Sequence, residues 1–200
     1  MSHKFNQNII EMKKILVAAI LLLCCISASA QKFGVGGGFI NSAFKSDGNS
    51  DALNGGYVQA TADLNLSDAF AVVAGLRYVY TGGEKDLLLW KGKTTNHTLG
   101  VPVFAKVNVF NTGDLKAFFF AGPTLYYGLS SKSEVGGLKV NNYDSYLKPL
   151  NITVGGGIGL DAMEAVRFTV GYDYGVTNRY QSDNAKANSA DIRFGVTFLF

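Results

Sequence analysis

Seven charged side chains stand in segments that are otherwise apolar or small, and they are the residues best placed to do chemistry. They are Asp63, Arg77, Lys106, Arg167, Asp173, Asp191 and Arg193. Each has apolar residues on both sides of it in sequence. Because successive side chains of a strand point to opposite faces, the charged residue lies on the face opposite the apolar row. In an apolar surrounding such charges either pair with one another or line an ion or proton path.

The order of the segments predicts two layers of these charges. Asp173, Asp191 and Arg193 fall at similar height on the last two segments, and Gln59 faces Arg77 in the same way. A second group should form from Asp63, Lys106 and Arg167. We favour a self-neutralising plug over a conducting path, because two charge layers leave little room inside a narrow structure.

A catalytic alternative rests on one histidine. His97 begins an alternating segment, and Ser130, Ser131 and Glu134 are predicted at the same rim. A histidine acts as a general base only within hydrogen-bond reach of its nucleophile, and nothing in the spacing requires that here. One histidine without clustered carboxylates also supplies too few ligands for a metal. We therefore predict no catalytic residue, no metal and no cofactor.

A short apolar run interrupts one of the polar connections. Leu88, Leu89 and Trp90 are flanked by lysines at positions 85, 91 and 93. Amphipathic aromatic residues beside lysine suit contact with lipid headgroups or anionic lipopolysaccharide. The same residues could equally extend the two neighbouring strands or pack beneath their own loop.

The last eleven residues organise the rest of the chain. Ala190 to Phe200 alternate between an apolar row that ends in Phe198 and Phe200 and a row of charged, small or polar residues interrupted by Leu199. A strand of about ten residues with one lipid-facing row and one row facing a narrow interior is typical of a transmembrane barrel.

Seven further segments repeat this pattern. The eight predicted strands are Phe33–Ala43, Gly55–Leu66, Phe70–Tyr80, His97–Val109, Leu115–Gly128, Asn151–Leu160, Ala165–Val176 and Ala190–Phe200, with a bulge expected at Pro102. Three connections are short, namely 67–69, 111–114 and 161–164, and four are long and polar, namely 44–54, 81–96, 129–148 and 177–188. Short turns on one rim and long loops on the other predict an all-β, eight-stranded antiparallel up-and-down barrel with both termini in the periplasm.

The aromatic residues fall into two bands on these strands. Tyr78, Tyr80, Tyr126, Tyr127, Tyr172 and Tyr174 are expected near the long-loop rim, and Phe70, Phe110, Phe168, Phe198 and Phe200 near the short-turn rim. Two such bands are typical of the interface girdles of membrane barrels. The alternative interpretation is that aromatic residues are simply common in strands.

Composition and charge exclude some partners. Hydrophobic residues make up 48% of the chain and charged residues 16%, against about 25% charged in soluble domains. The formal charge of +3 is too small to indicate nucleic acid. We therefore expect a lipid-embedded protein that binds no nucleic acid.

The N-terminus has the pattern of a secretion signal. Lys13 and Lys14 precede the apolar run 15–26, which is too short to span a bilayer, and Ala28-Ser29-Ala30 fits a cleavage site. We predict an upstream extension and signal peptide over residues 1–30 and a barrel domain over 31–200, with Met1 or Met12 as the start. Lipidation at Cys24 or Cys25 is the alternative, although the residues before them are not of the usual small type.

Taken with the G-V-P-V-F-A-K run at 100–106, the F-A-G-P run at 120–123 and the final F-L-F, the mature chain resembles the small OmpA-like bacterial outer-membrane β-barrel family. The resemblance implies a mostly non-enzymatic, multi-pass outer-membrane protein. Its implied partners are outer-membrane lipid and lipopolysaccharide, the barrel assembly machinery through Phe198 and Phe200, and an extracellular protein or surface ligand. Small barrels that modify lipid A, and narrow pores, are the remaining alternatives.

Overall fold

The computed structural model describes residues 32–46, 49–87, 90–135, 138–142, 148–178 and 188–200, so the predicted leader and the cleavage before Gln31 lie outside them. This part of the chain forms nine strands: β1 Lys32–Ser46, β2 Asn49–Asn65, β3 Phe70–Leu87, β4 Trp90–Asn111, β5 Leu115–Val135, β6 Leu138–Asn141, β7 Leu150–Ala162, β8 Val166–Gly175 and β9 Asn188–Leu199. No helix among these residues has the length and the apolar character needed to span a bilayer.

Eight of these strands close into an antiparallel barrel. Each pairs with the next along the chain, except that β5 passes over β6 to pair with β7. The barrel closes where β1 pairs with β9 over Gly34↔Leu199 to Lys45↔Asn188. Within the described ranges, the strand β6 pairs with the end of β5 alone, over Lys132↔Asn141 to Val135↔Leu138. The predicted eight-stranded architecture is confirmed, and closure leaves the barrel without an exposed sheet edge.

The alternation predicted for the last strand is present in β9. Asp191, Arg193 and Thr197 are buried, whereas Phe194 and Phe198 are 50% and 62% exposed. Large apolar side chains in an outward-facing row would be unfavourable in water. The row matches the lipid face of a membrane barrel. The buried row faces the lumen.

Glycines of β7 make room for aromatic rings of the adjacent strand β5, which they oppose directly. Phe118 and Phe120 of β5 point inward and are buried, a facing that the sequence left open because three phenylalanines follow one another. A Cβ atom added at Gly159 would lie 2.1 Å from Cζ of Phe118, and one at Gly157 would lie 2.8 Å from Cζ of Phe120. At Gly157 the added Cβ would also lie 2.0 Å from the carbonyl oxygen of Val170, so these positions admit only glycine unless a ring or the backbone moves.

The predicted long loops are wrong where the structure describes them. The loop expected at 44–54 is a hairpin closed at Ser46↔Asn49, and the one expected at 81–96 is a hairpin closed at Leu87↔Trp90. The loop expected at 129–148 begins as the β5–β6 hairpin, and most of the loop expected at 177–188 lies outside the described residues. The polar segments were expected to be loops because they lack an apolar row. A strand whose two faces are both in water needs no such row.

The expected bulge at Pro102 is also wrong. Between β4 and β5 the register shifts at His97/Thr98 and at Asn108/Phe110 instead. Between β3 and β4 the register is unchanged past Pro102, but the ladder skips from Ala74↔Val103 to Arg77↔Gly100. Proline lacks the N–H that a ladder bond requires, so it interrupts pairing without needing an inserted residue.

The turn between β7 and β8 defines one end of the barrel, which we call the short-turn rim; the opposite end, with the hairpins, is the hairpin rim. Met163 and Glu164 have φ of 52° and 54°, and the Ala165 amide donates to the carbonyl of Ala162 over 3.0 Å. Two central residues with positive φ are the geometry of a two-residue type I′ hairpin. The predicted turn 161–164 is therefore one residue too early, and Asp161 belongs to β7.

Candidate functional site

Four charged side chains meet in the lumen near the short-turn rim. The Arg167 guanidinium donates from Nη1 and Nη2 to the two carboxylate oxygens of Asp63 over 3.0 and 2.6 Å. It also donates from Nε to Asp161 over 2.7 Å. The Lys106 ammonium lies 2.7 Å from Asp161 and 3.6 Å from Asp63. The structure thus brings together the three residues predicted as a lower group and adds a second carboxylate, which makes the group electrically neutral.

Sequence reasoning missed Asp161, although a signal for it existed. Asp161 has the same parity along β7 as Thr153, Gly155, Gly157 and Gly159, the row that faces the lumen. In the sequence alone, an acidic residue next to Ala162 and Met163 indicates the start of a turn. The register Asp161↔Arg167 between β7 and β8 instead makes it a directly opposed partner.

A second ion pair lies closer to the hairpin rim. Arg193 donates from Nε and Nη2 to the Asp173 carboxylate over 2.6 and 2.8 Å, and both side chains are buried. Asp191 is directly opposed to Asp173 in the β8–β9 register and is 7% exposed. These three predicted residues are therefore neighbours, as the strand order indicated.

Arg77 completes the lumen set but with different partners. Its Nε and Nη2 donate to Oε1 of Gln59 over 3.0 and 2.9 Å, and its Nη1 donates to the Tyr126 hydroxyl over 3.2 Å. The guanidinium carbon also lies 5.0 Å from the centre of the Tyr57 ring. Tyr126 is 5% exposed and faces the lumen, so its predicted place in the outer tyrosine band is wrong.

Aromatic rings separate the two charge layers. Lys106 Nζ and the Arg167 guanidinium lie 4.5 and 5.2 Å from the centre of the Phe118 ring. Phe104 and Phe120 pack with ring centres 5.2 Å apart, and Arg193 lies 5.7 Å from Phe104. Rings at these distances attract cations through their π faces and fill the lumen. Two cavities left within it are small, at about 40 Å³ in the middle and about 30 Å³ toward the hairpin rim, and a third of about 310 Å³ opens at the short-turn rim beside Asp63, Lys106 and Asp161.

The histidine of the catalytic alternative lies on the outer face of the barrel. His97 Nδ1 shares a hydrogen bond of 2.6 Å with the Tyr78 hydroxyl, and its ring lies 5.3 Å from that of Tyr80 on the outer face. Ser131 faces the lumen instead and donates to Asn96 over 2.6 Å. Ser130 is directly opposed to His97, but Glu134 lies four positions further along β5, about 13 Å away at the rise of a strand. His97 therefore belongs to an outer aromatic cluster with Tyr78 and Tyr80.

Most of the loop contact predicted at residues 88–90 lies outside the residues that the structure describes. Leu88 and Leu89 are outside the described residues, and Trp90 is described only as the first residue of β4. Of the predicted assembly signal, Phe198 and Phe200 are 62% and 73% exposed. The Phe200 amide and carbonyl both bond to Phe33 over 2.9 Å, which holds the C-terminus against β1.

A charged clamp holds the short-turn rim. The Glu164 carboxylate accepts hydrogen bonds from Lys116 and from Lys32, the latter over 2.9 Å. The hydrogen bond from Lys116 and then that from Lys32 lower the pKa of Glu164 to about 2. Lys32 is the first residue of β1 and Lys116 the second residue of β5, so the clamp ties the β7–β8 turn to both sides of the rim.

Comparison with known proteins identifies the architecture. The sequence profile described as "Outer membrane protein beta-barrel domain" matches residues 29–181. Neisserial surface protein A (NspA), from Neisseria, superposes with a TM-score of 0.54 at 15% identity over 83% of this chain and 96% of its own. Ail, the attachment invasion locus protein of Yersinia pestis, does so with a TM-score of 0.53 at 12% identity over 84% and 98%.

Ail has also been crystallised with the heparin analogue sucrose octasulfate, and that structure superposes equally well, with a TM-score of 0.53. At these identities the likeness is one of fold. No curated protein sequence matches the chain.

Proposed function

The chain belongs to the outer membrane protein beta-barrel domain family, and from this we propose that it is a non-enzymatic integral barrel of the bacterial outer membrane. In this proposal the lumen is a plug rather than a pathway. The role is structural or one of surface interaction, and the long hairpins carry it. Both termini then lie in the periplasm, with the hairpin rim outside the cell.

The filled lumen is the observation that carries this proposal. All seven predicted interior charges are at most 7% exposed. Arg167, Lys106 and Arg193 bind carboxylates, and the rings of Phe104, Phe118 and Phe120 occupy the space between the layers. A hydrated solute path would require these groups to separate in a low-dielectric interior, which is costly for paired charges.

The hairpins supply the surface for a partner. The β3–β4 hairpin continues seven residues beyond the Tyr80↔His97 pair to Leu87↔Trp90, which corresponds to about 23 Å at the rise of a strand. Its tip sequence places Lys85, Lys91 and Lys93 around the apolar run. We propose anionic surface polymers as its ligand class, lipopolysaccharide first. Outer-membrane lipid around the barrel and the assembly machinery at Phe198 and Phe200 complete the proposed partners.

The plug is tested by planar-bilayer recording. The folded protein, verified by heat-modifiable mobility in gels, is expected to give no steady ion conductance. Stable single-channel steps from the wild-type protein would overturn the plug and place the function in the lumen, as in the narrow-pore alternative.

The surface role is tested by shortening one hairpin. Joining Gly83 to Thr94 through Asn-Gly should leave the barrel folded, because the barrel ladder below this point is unchanged. Binding to immobilised lipopolysaccharide should fall, with a sulfated saccharide such as sucrose octasulfate as a second probe. Undiminished binding by the shortened protein would exclude this hairpin as the contact.

The lipid A enzyme alternative has a direct test. His97→Ala is expected to leave the lipid A of expressing cells unchanged in mass spectra, because Nδ1 of His97 is bonded to Tyr78 rather than to a nucleophile. Loss of a lipid A modification that the wild-type protein confers would favour the enzyme.

A further inference from the structure

The outer face of the barrel becomes polar at the base of the β3–β4 hairpin. Tyr80 is opposed to His97 across β3 and β4, and His97 is opposed to Ser130 across β4 and β5. Two residues further toward the tip, Thr95 is opposed to Lys132, which is exposed. We call these five residues the girdle patch. It forms one continuous surface over three adjacent strands.

A β-bulge directs Lys132 to this face. The register between β4 and β5 skips Leu129, which is an extra residue of β5. On the membrane side of the bulge, the even-numbered Tyr126 is buried in the lumen, whereas beyond it the odd-numbered Ser131 is buried there. The bulge thus reverses the facing of β5, and without it Lys132 would point into the lumen. Bulges commonly redirect a side chain next to a functional site.

The girdle patch lies at the height of the lipid headgroups. Tyr80 is the tenth residue after Phe70, which begins β3 at the short-turn rim. Ten residues extend about 33 Å along a strand, or about 25 Å across the membrane at a tilt of about 40°. This is the height of the apolar band of a membrane barrel. Tyr80 and His97 therefore lie at the edge of the hydrocarbon, and Lys132 lies about 5 Å beyond it.

Hydrogen-bond donors of the girdle patch are open to a ligand. The Tyr78 hydroxyl is bonded to Nδ1 of His97 over 2.6 Å. When this hydroxyl is the donor, a neutral imidazole carries its proton on Nε2, which is then free to donate. Within the described part of the chain, the hydroxyls of Tyr80 and Ser130 make no side-chain hydrogen bond.

The charge of Lys132 is available in the same way. In the pairing register, Lys132 is opposed by Thr95 on one side and by Asn141 on the other, and neither carries a charge. The structure describes no ion pair and no side-chain hydrogen bond of Lys132. An exposed ammonium at the edge of the hydrocarbon, with free donors on the membrane side of it, suits an anionic headgroup.

The chemistry of the girdle patch favours a phosphate that belongs to a lipid. A phosphate monoester carries nearly two negative charges at neutral pH and three acceptor oxygens, and lysine binds phosphate as a point charge. On the membrane side, Leu129 is 44% exposed and Leu99 shares the outward row of His97. These apolar side chains can contact the acyl chains of the same molecule, which inorganic phosphate lacks.

We propose that the girdle patch binds a phosphate group of an outer-leaflet glycolipid, of the kind that lipid A carries. Lys132 supplies the counter-charge, and Nε2–H of His97 and the hydroxyls of Tyr80 and Ser130 donate to the phosphate oxygens. The inference rests on the proposed function, which places the hairpin rim outside the cell. It adds a lipid contact at the base of the β3–β4 hairpin, separate from the lysines at the tip.

The test compares lipid A with and without its phosphates. The folded protein in neutral detergent micelles is titrated with diphosphorylated lipid A, with enzymatically dephosphorylated lipid A, or with inorganic phosphate, and native mass spectrometry counts the bound molecules. Binding is expected to weaken about tenfold on dephosphorylation, as for the loss of one charge-assisted hydrogen bond. Inorganic phosphate should not bind at the same concentrations. Equal binding of the two lipids, or equal binding of inorganic phosphate, would overturn the proposal.

Variants assign the binding to the girdle patch. Lys132→Met should bind diphosphorylated lipid A about tenfold more weakly, whereas Lys132→Arg should bind it as the wild-type protein does, because a guanidinium also pairs with phosphate. Lys116→Met removes the same charge at the short-turn rim and should have no effect. Lys132 is exposed, so its variants should fold, as heat-modifiable mobility verifies. Unchanged binding by Lys132→Met would contradict the assignment.

The protein with the shortened hairpin separates this inference from the proposed function. Joining Gly83 to Thr94 removes the tip but keeps every residue of the girdle patch, so its phosphate-dependent binding of lipid A should remain. Loss of that binding would place the phosphate contact at the tip and overturn the inference. A wild-type protein that binds neither lipopolysaccharide nor lipid A would contradict the proposed surface role as well, whereas lipid A binding that ignores the phosphates would contradict the inference alone.

Discussion

Asp173 and Arg193 show how tightly the lumen couples its residues. Both side chains are at most 3% exposed, and two hydrogen bonds join them. Arg193→Ala would leave the Asp173 carboxylate buried without its partner, so we expect a loss of about 3–5 kcal/mol in the free energy of unfolding. Urea unfolding from lipid vesicles measures it.

The matched control replaces both partners. The double variant Asp173→Asn with Arg193→Met removes both charges, and its loss should be clearly smaller than that of Arg193→Ala. A single-variant loss below about 1 kcal/mol, the value typical of exposed pairs, would show that the pair is solvated.

The Glu164 clamp makes a pH-dependent contribution. Its pKa of about 2 lies below the ordinary value of 4.5, so the clamp stabilises the fold fully above about pH 5 and the contribution is lost as the pH falls toward 2. Because Glu164 is exposed, the contribution should be only about 0.2–1 kcal/mol. Glu164→Gln should therefore be less stable than the wild-type protein at pH 7 and equal to it below pH 2, measured by unfolding at each pH. A difference that is independent of pH would contradict the clamp.

At the scale of the strand, the two faces should tolerate charge very differently. Val170 of β8 lies outward at mid-strand, where it opposes Ile158 and Phe194, and is 42% exposed. Val170→Arg should cost about 2–4 kcal/mol in a lipid bilayer. Ala69→Arg, in the exposed turn before β3, should cost at most about 1 kcal/mol. Equal costs for the two variants in vesicle folding would contradict the lipid-facing assignment.

The strands also show why the hairpins were not predicted. Within the membrane, a lipid face and a lumen face impose alternation on each strand. Beyond Tyr80↔His97 the ladder between β3 and β4 continues to Leu87↔Trp90 without that constraint. Backbone hydrogen bonds alone can extend a pairing register that is already established. They do not depend on the pattern of side chains, so the sequence does not reveal the extended hairpin.

At the scale of the whole molecule, the proposed orientation has a labelling test. The proposed mature chain contains no cysteine, because Cys24 and Cys25 lie in the predicted leader. Asp86→Cys, near the β3–β4 tip, should react in intact cells with a membrane-impermeant maleimide, whereas Ala69→Cys should react only after the cells are broken. The reverse pattern would place the short-turn rim outside.

The sequence by itself determined the eight barrel strands, the lumen-facing row of charges and the lipid-facing apolar row of β9. All three depend on period-two alternation, which is a local property of the chain. The family resemblance followed from the same rows and is confirmed by the match over 29–181.

Only the tertiary structure decided which inward residues meet. Asp161 joins Lys106 and Arg167, Phe118 fits against Gly159, and Arg77 finds neutral partners instead of a carboxylate. Asp161 and Arg167, like Phe118 and Gly159, meet through the register of directly paired strands. Lys106 of β4 reaches Asp161 of β7 past the intervening strand β5, because the sheet curves into a barrel. The pattern of one strand predicts which face a side chain occupies. Its position along the barrel axis relative to residues of other strands is determined by the closed barrel.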